Sequence, residues 1–96
     1  MAARYEVRIL KGAQKELESL PTDIRLQVLT KMKVLEVDPL PKGKPEIKIL
    51  RGFRPPLLRL GSGDFRVVYR LSGQAIEVLA VVNRKELERK LRQLRN

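Results

Sequence analysis

The chain reads as an α+β domain: an antiparallel sheet with helices packed on one face, in the order β-α-α-β-β-β-α. Two patterns and one length point there. Apolar residues alternate with period two from Leu57 to Val82, interrupted twice by glycine-containing turns. Helical spacing of apolar residues holds between Ala13 and Leu35 and again between Leu87 and Leu94. The 96 residues suffice for one core of two layers, so residues 1–96 make a single domain.

The first strand comes from Tyr5, Val7 and Ile9, which alternate with Glu6, Arg8 and Leu10 before a break at Lys11 and Gly12. Ala13, Leu17 and Leu20 then stand at helical spacing, with Gln14, Lys15, Glu16 and Glu18 on the outer face, and Pro21 ends that helix. Thr22 or Asp23 caps a second helix whose stripe is Ile24, Val28, Met32 and Leu35, widened by Leu26 and Leu29. Three prolines and a glycine between Asp38 and Pro45 force an irregular surface connection. Glu46 to Leu50 is apolar-rich but too short to assign, and Arg51 to Pro56 forms a stiff basic lead-in to the next strand.

The meander follows. Leu58 and Leu60, then Phe65, Val67, Tyr69 and Leu71, then Ile76, Val78, Ala80 and Val82 take the core face. With Ser62 and Gly63 as the central residues of the first hairpin, Arg59 falls directly opposite Arg66. A second turn at Ser72 and Gly73 sets Tyr69 opposite Ile76, and the parity closes without a bulge. Asn83 followed by Glu86 is a capping-box-like start for a last helix with the stripe Leu87, Leu91 and Leu94.

Composition narrows the function. Twenty-one Lys and Arg against eleven Asp and Glu give a net charge of +10, which favours a polyanionic partner, nucleic acid foremost. Up to Pro45 nine basic residues face six acidic ones, and from Glu46 onward twelve face five, so the sheet half is the expected binding half. No cysteine and no histidine exclude thiolate chemistry and the usual zinc sites; no metal or cofactor is expected, and acid–base work must fall to Lys, Arg, Tyr, Glu or Asp. No apolar stretch approaches the length of a bilayer span, which leads to the expectation of a cytoplasmic protein. Two guanidiniums set across from one another cost stability, so the Arg59 and Arg66 face is expected to meet an anion, and phosphate is the anion that arginine forks fit best. The bland alternative is that Arg59, Arg66 and Arg70 merely coat a solvated face, but such a face would more naturally alternate in sign.

The pattern LRGFRPPLLRLGSGDFRVVYRL followed by IEVLAVVNRKE, preceded by a strand, a helical hairpin and a proline-rich connection, resembles the RelE/ParE superfamily of bacterial and archaeal toxins. The resemblance covers nearly the whole chain and implies a microbial-RNase-like fold. In the RelE branch it implies a type II toxin that cleaves messenger RNA on the ribosome and is neutralised by a cognate antitoxin. It assigns Arg66 as the arginine of the middle strand, Arg59 as the basic residue of the strand before it, and Arg84 as the basic residue past the last strand, all three catalytic. Leu57 stands where some RelE enzymes are basic, and Leu87 and Glu88 stand where several carry an aromatic or histidine.

RNA cleavage by transfer of its own 2′-hydroxyl requires that hydroxyl deprotonated, the phosphorane stabilised and the leaving oxygen protonated. Arg59 and Arg66 suit the second task, with Arg84 as a further phosphate or leaving-group contact. Arginine is a poor base, so proton transfer falls to Glu88, Lys85, the substrate or the ribosome. Arg51, Arg54, Lys85 and Arg89 are expected RNA contacts, each equally readable as an ordinary solvated cation. Two other functions fit the pattern: a ParE-like inhibitor of DNA gyrase without nuclease activity, which the last helix and the missing aromatic favour, and a degenerate member that only binds nucleic acid or antitoxin.

Overall fold

The computed structural model describes residues 4–95, and over them each period-two run is a strand. β1 (Glu6–Ile9), β2 (Ile47–Leu50), β3 (Leu57–Ser62), β4 (Phe65–Ser72) and β5 (Ala75–Asn83) form one sheet in the spatial order β1-β5-β4-β3-β2. The α+β class and the order of elements are as expected, with β2 added from the unassigned piece after Glu46. The sheet is mixed: β1 runs parallel to β5, with Glu6 beside Ala75 and Ile9 beside Val78, while the other neighbours are antiparallel. That parallel pairing is possible because the whole helical hairpin and three strands lie between the two in sequence.

α1 (Lys11–Glu18), α2 (Thr22–Met32) and the short α3 (Val34–Val37) cover one face of the sheet. Ala13, Leu17, Val28, Met32 and Leu35 pack there on Leu58, Leu60, Val67, Tyr69, Ile76 and Val78, all nearly inaccessible to water. Each of the Leu, Val, Ile and Met side chains among them contributes roughly 1.5–3 kcal/mol on burial. Several local expectations give way. Lys11 and Gly12 are not a break but the first turn of α1. Pro21, not Thr22 or Asp23, stands at the N-cap of α2, without a side-chain cap bond, because its fixed φ already suits the helix entry. The helix ends at Met32, so Leu35 reaches the core from α3, and Leu26 stays 57 % exposed on the outer side.

Glu16 is not on the outer face either. Beyond Val78 the edge of β5 has lost β1 as a neighbour, and the Glu16 carboxylate accepts the orphaned Val81 N–H at 2.8 Å. The same carboxylate meets Lys90 Nζ at 2.8 Å, tying α1, β5 and the last helix together. Glu16→Ala is expected to lower unfolding free energy by about 1–2 kcal/mol, since a strand N–H and a half-buried ammonium both lose their acceptor; chemical denaturation of the variant beside the parent checks it.

Both hairpins turn one residue later than the spacing predicts. Gly63 (φ +57) and Gly73 (φ +61) take the first central position, where a tight primed turn requires the left-handed backbone that glycine adopts without penalty. Leu60 therefore faces Val67 and Leu58 faces Tyr69, which preserves the core parity, while Arg59 faces Val68 and Arg66 faces Gly61. The β4–β5 ladder does carry a bulge, between Val68 and Tyr69, and Leu79 is the extra residue. Past it the parity of β5 inverts: Val81 joins the first face, and Ala80 and Val82 turn to the second.

That inversion builds a second apolar patch from Leu57, Val68, Ala80 and Val82. A single 3-10 turn (Arg84–Glu86) leads into α4 (Leu87–Leu94), which lays Leu87, Leu91 and Leu94 on this patch. The helices are thus not all on one face; α4 has the other, because apolar residues await it only there. Asn83 caps its approach by accepting the Lys85 N–H at 2.9 Å.

Candidate functional site

The second face is where the arginines stand, since Arg59, Arg66 and Arg70 alternate with core residues of β3 and β4. Arg59 and Arg66 are diagonal neighbours, not an opposed pair, and their guanidiniums nonetheless converge. Gly61 lies directly opposite Arg66, and a Cβ built there would meet Arg66 Nη1 at 3.4 Å and Arg59 Nη1 at 3.5 Å. The missing side chain is the space in which both forks gather.

Arg66 is held by its own turn. Its Nη1 donates to the carbonyls of Gly63 and Phe65, both at 2.9 Å, which aims the guanidinium across Gly61. Arg59 is half-buried beside it, and its affinity for a proton is lowered, first by desolvation and then by the positive charge of Arg66. The guanidinium remains charged at neutral pH, so the pair is a site of unrelieved positive charge. Lys48 on β2 faces Arg59 directly and adds a third cation. Sequence spacing leaves residues 46–50 unassigned and so misses it; read as a strand, the alternation of Ile47 and Ile49 with Lys48 would have placed it.

Arg84 joins this end of the sheet through the same turn. Its N–H donates to the Asp64 carbonyl at 2.8 Å and its Nε lies 3.6 Å from the Asp64 carboxylate. Asp64, which stands in the family pattern without an assigned role, is the carboxylate in contact with one of the three arginines, whereas Glu88 is exposed on the first turn of α4. Lys85 follows Arg84, also exposed.

The remaining expected contacts go elsewhere. Arg89 pairs with Glu86 at 3.4 Å and lines a cleft of about 320 Å³ between α1, α4 and the β5 edge. Arg51 and Arg54 are exposed ahead of β3; Arg54 lines a depression with Arg70, which Glu77 binds at 2.7 Å. A carboxylate thus pairs with Arg70 across the strands, whereas among the described residues none pairs with Arg59 or Arg66, and the one carboxylate at that end, Asp64, meets Arg84.

Gly61→Val tests the convergence. Valine suits a strand, so the thermal midpoint should hold, while its methyls occupy the place of both guanidiniums. If the pair works on a phosphate, a displacement of this size should slow the reaction on the order of a hundredfold, read as a single-turnover rate.

Residues 7–88 match a family described as the ParE toxin of the type II toxin–antitoxin system parDE. Among solved structures the chain is similar to the archaeal RelE of the RelE–RelB complex from Pyrococcus horikoshii, at 32% identity over 84% of this chain and 96% of that one, with a TM-score of 0.71. It also shares the fold of the Mycobacterium tuberculosis RelBE2 complex (23% identity, 86% and 94% covered, TM-score 0.70) and of a free double mutant of Escherichia coli RelE (22%, 88% of each chain, TM-score 0.61). No curated protein matches the chain. Match, fold and arginine-bearing strand agree: the chain belongs to the RelE/ParE family and is a toxin of a type II toxin–antitoxin system.

Proposed function

We propose that the protein is an endoribonuclease of the RelE kind, which cuts messenger RNA in the ribosome by transfer of the RNA's own 2′-hydroxyl. The observation that carries the reading is the gathering of Arg59 and Arg66 over Gly61, where among the described residues no carboxylate is ion-paired to either. In the reaction the 2′-oxygen attacks the adjacent phosphorus, the 5′-oxygen leaves, and a cyclic phosphate remains. Two preformed forks on the non-bridging oxygens stabilise the charge that develops there and need no reorganisation to do so. Arg84 is the third contact, poised by Asp64. Deprotonation and leaving-group protonation fall to Glu88, Lys85, Asp64 or groups of the ribosome.

Expression without a partner is expected to stop incorporation of labelled amino acid before that of labelled nucleotide, with message cut. DNA synthesis stopping first on intact message would replace this reading with gyrase inhibition, which the ParE description of the matched family favours.

The Pyrococcus horikoshii relative was solved with RelB, and a cognate antitoxin is the proposed partner here. An acidic segment that folds across the second face would relieve the repulsion among Lys48, Arg59 and Arg66. Its affinity is expected to fall steadily as salt rises from about 0.05 to 0.5 M, measured by calorimetry; an affinity flat across salt places the contact on apolar surface instead.

A further inference from the structure

We infer that Arg54, Arg70 and Arg95 form a second phosphate-binding subsite on the same face, which holds the backbone of single-stranded RNA a few nucleotides from the Arg59 and Arg66 pair. The inference rests on the RNA-binding reading of that face and extends it to the far end. Arg70 stands four residues along β4 from Arg66, roughly 13 Å at the strand's rise. Around it lies a depression of about 160 Å³ bordered by Gly52, Phe53, Arg54, Arg70, Leu79 and Arg95.

The depression is built. Arg95 is held over the Phe53 ring with its Cζ 5.0 Å from the centroid, an attraction of cation for π face that sets the guanidinium without a carboxylate. Its Nη2 comes within 3.5 Å of where a side chain at residue 52 would begin, and Gly52 has φ +90, so glycine both makes the turn and leaves the guanidinium its room. Among the described residues Glu77 meets Arg70 at 2.7 Å, and no carboxylate lies within ion-pairing distance of Arg54 or Arg95. A concave surface with this excess of guanidinium focuses anions, and a fork fits phosphate with two hydrogen bonds. A polynucleotide is favoured over an acidic peptide because its evenly spaced anions let one strand reach both arginine clusters, which flank the Val68 patch that α4 covers, by passing around the helix.

The test is direct binding, which needs no cleavage: fluorescence anisotropy of labelled 2′-O-methyl oligouridylates, one of eight nucleotides and one of two, with the full chain. The double variant Arg54→Gln, Arg95→Gln should bind the octanucleotide roughly tenfold more weakly and leave the dinucleotide unchanged. Its logarithmic salt slope should shrink by about 0.7 for each phosphate that is no longer neutralised. Arg66→Gln should weaken both oligonucleotides. Replacing Arg54 and Arg95 with lysine should restore the salt slope, which a merely unfolded variant could not do. If the glutamine variant binds the octanucleotide like the parent while Arg66→Gln does not, the subsite is absent although the RNA reading of the face stands. If the parent binds neither oligonucleotide, that reading falls as well. Oligoglutamate bound with Arg54 and Arg95 dependence in place of the octanucleotide overturns the RNA assignment in favour of a protein carboxylate.

Discussion

Arg66→Ala is expected to slow single-turnover cleavage of ribosome-bound message by about a hundredfold or more, the loss that follows removal of one preorganised donor from a developing oxyanion. The fold should survive. Arg66 gives up two hydrogen bonds to carbonyls at the hairpin turn, worth about 1 kcal/mol net each, and its departure relieves the charge that Arg59 feels. These effects oppose one another, so the thermal midpoint should move by less than about 8 °C. Arg66→Lys separates the contributions: an ammonium keeps the charge but cannot span both turn carbonyls and a phosphate at once, so a partial recovery of rate is expected. Parental cleavage in the alanine variant would place the chemistry away from β4.

Tyr69→Ala is expected to be the most damaging single truncation. Tyr69 is fully buried in the first-face core next to the β4–β5 bulge, and its hydroxyl donates to the Pro39 carbonyl at 2.6 Å, which moors the irregular connection to the sheet. Removing the ring costs about 3–5 kcal/mol, a large part of the whole stability of a domain this size, and should lower the thermal midpoint by roughly 15–30 °C. Tyr69→Phe isolates the hydroxyl and should cost only about 1 kcal/mol. It should also alter the response to alkali. Burial raises the phenol above its ordinary value near 10, and the negative charge of Asp38 adds to the shift. The folded protein therefore keeps a proton that the unfolded chain releases, so the stability tied to it is complete below about pH 10 and falls as pH rises beyond. The phenylalanine variant should lack that part of the alkaline decline. Denaturation at pH 8, 10 and 11 reads both effects.

Much of the molecule is legible in the sequence because periodicity reports which face a residue takes within its own segment. The alternation from Phe65 to Leu71 places Val67 and Tyr69 in the core and sends Arg66 out of the other face, and the helical spacing of Ala13, Leu17, Val28 and Met32 chooses the residues that cover the sheet. The family resemblance rests on the same strand. What one segment finds beside it is not written in its own period. Lys48 lies next to Arg59 only because β2 pairs at the edge, and Arg89 turns away from the other arginines only because Leu87, Leu91 and Leu94 fix the roll of α4.

Spacing and charge alone therefore account for the order of the main elements, the first-face core as far as Val78 and the excess of arginine on the opposite face. Tertiary structure decided the rest. The glycines' demand for the first turn position moved both hairpins by one residue and turned a direct Arg59 and Arg66 opposition into a convergence over Gly61. The extra Leu79 inverted the end of β5 and so sent α4 to the second face, and the orphaned Val81 N–H drew Glu16 inward. In each case a backbone group or a turn dihedral had to be satisfied between segments distant in the chain, a condition that no local period records.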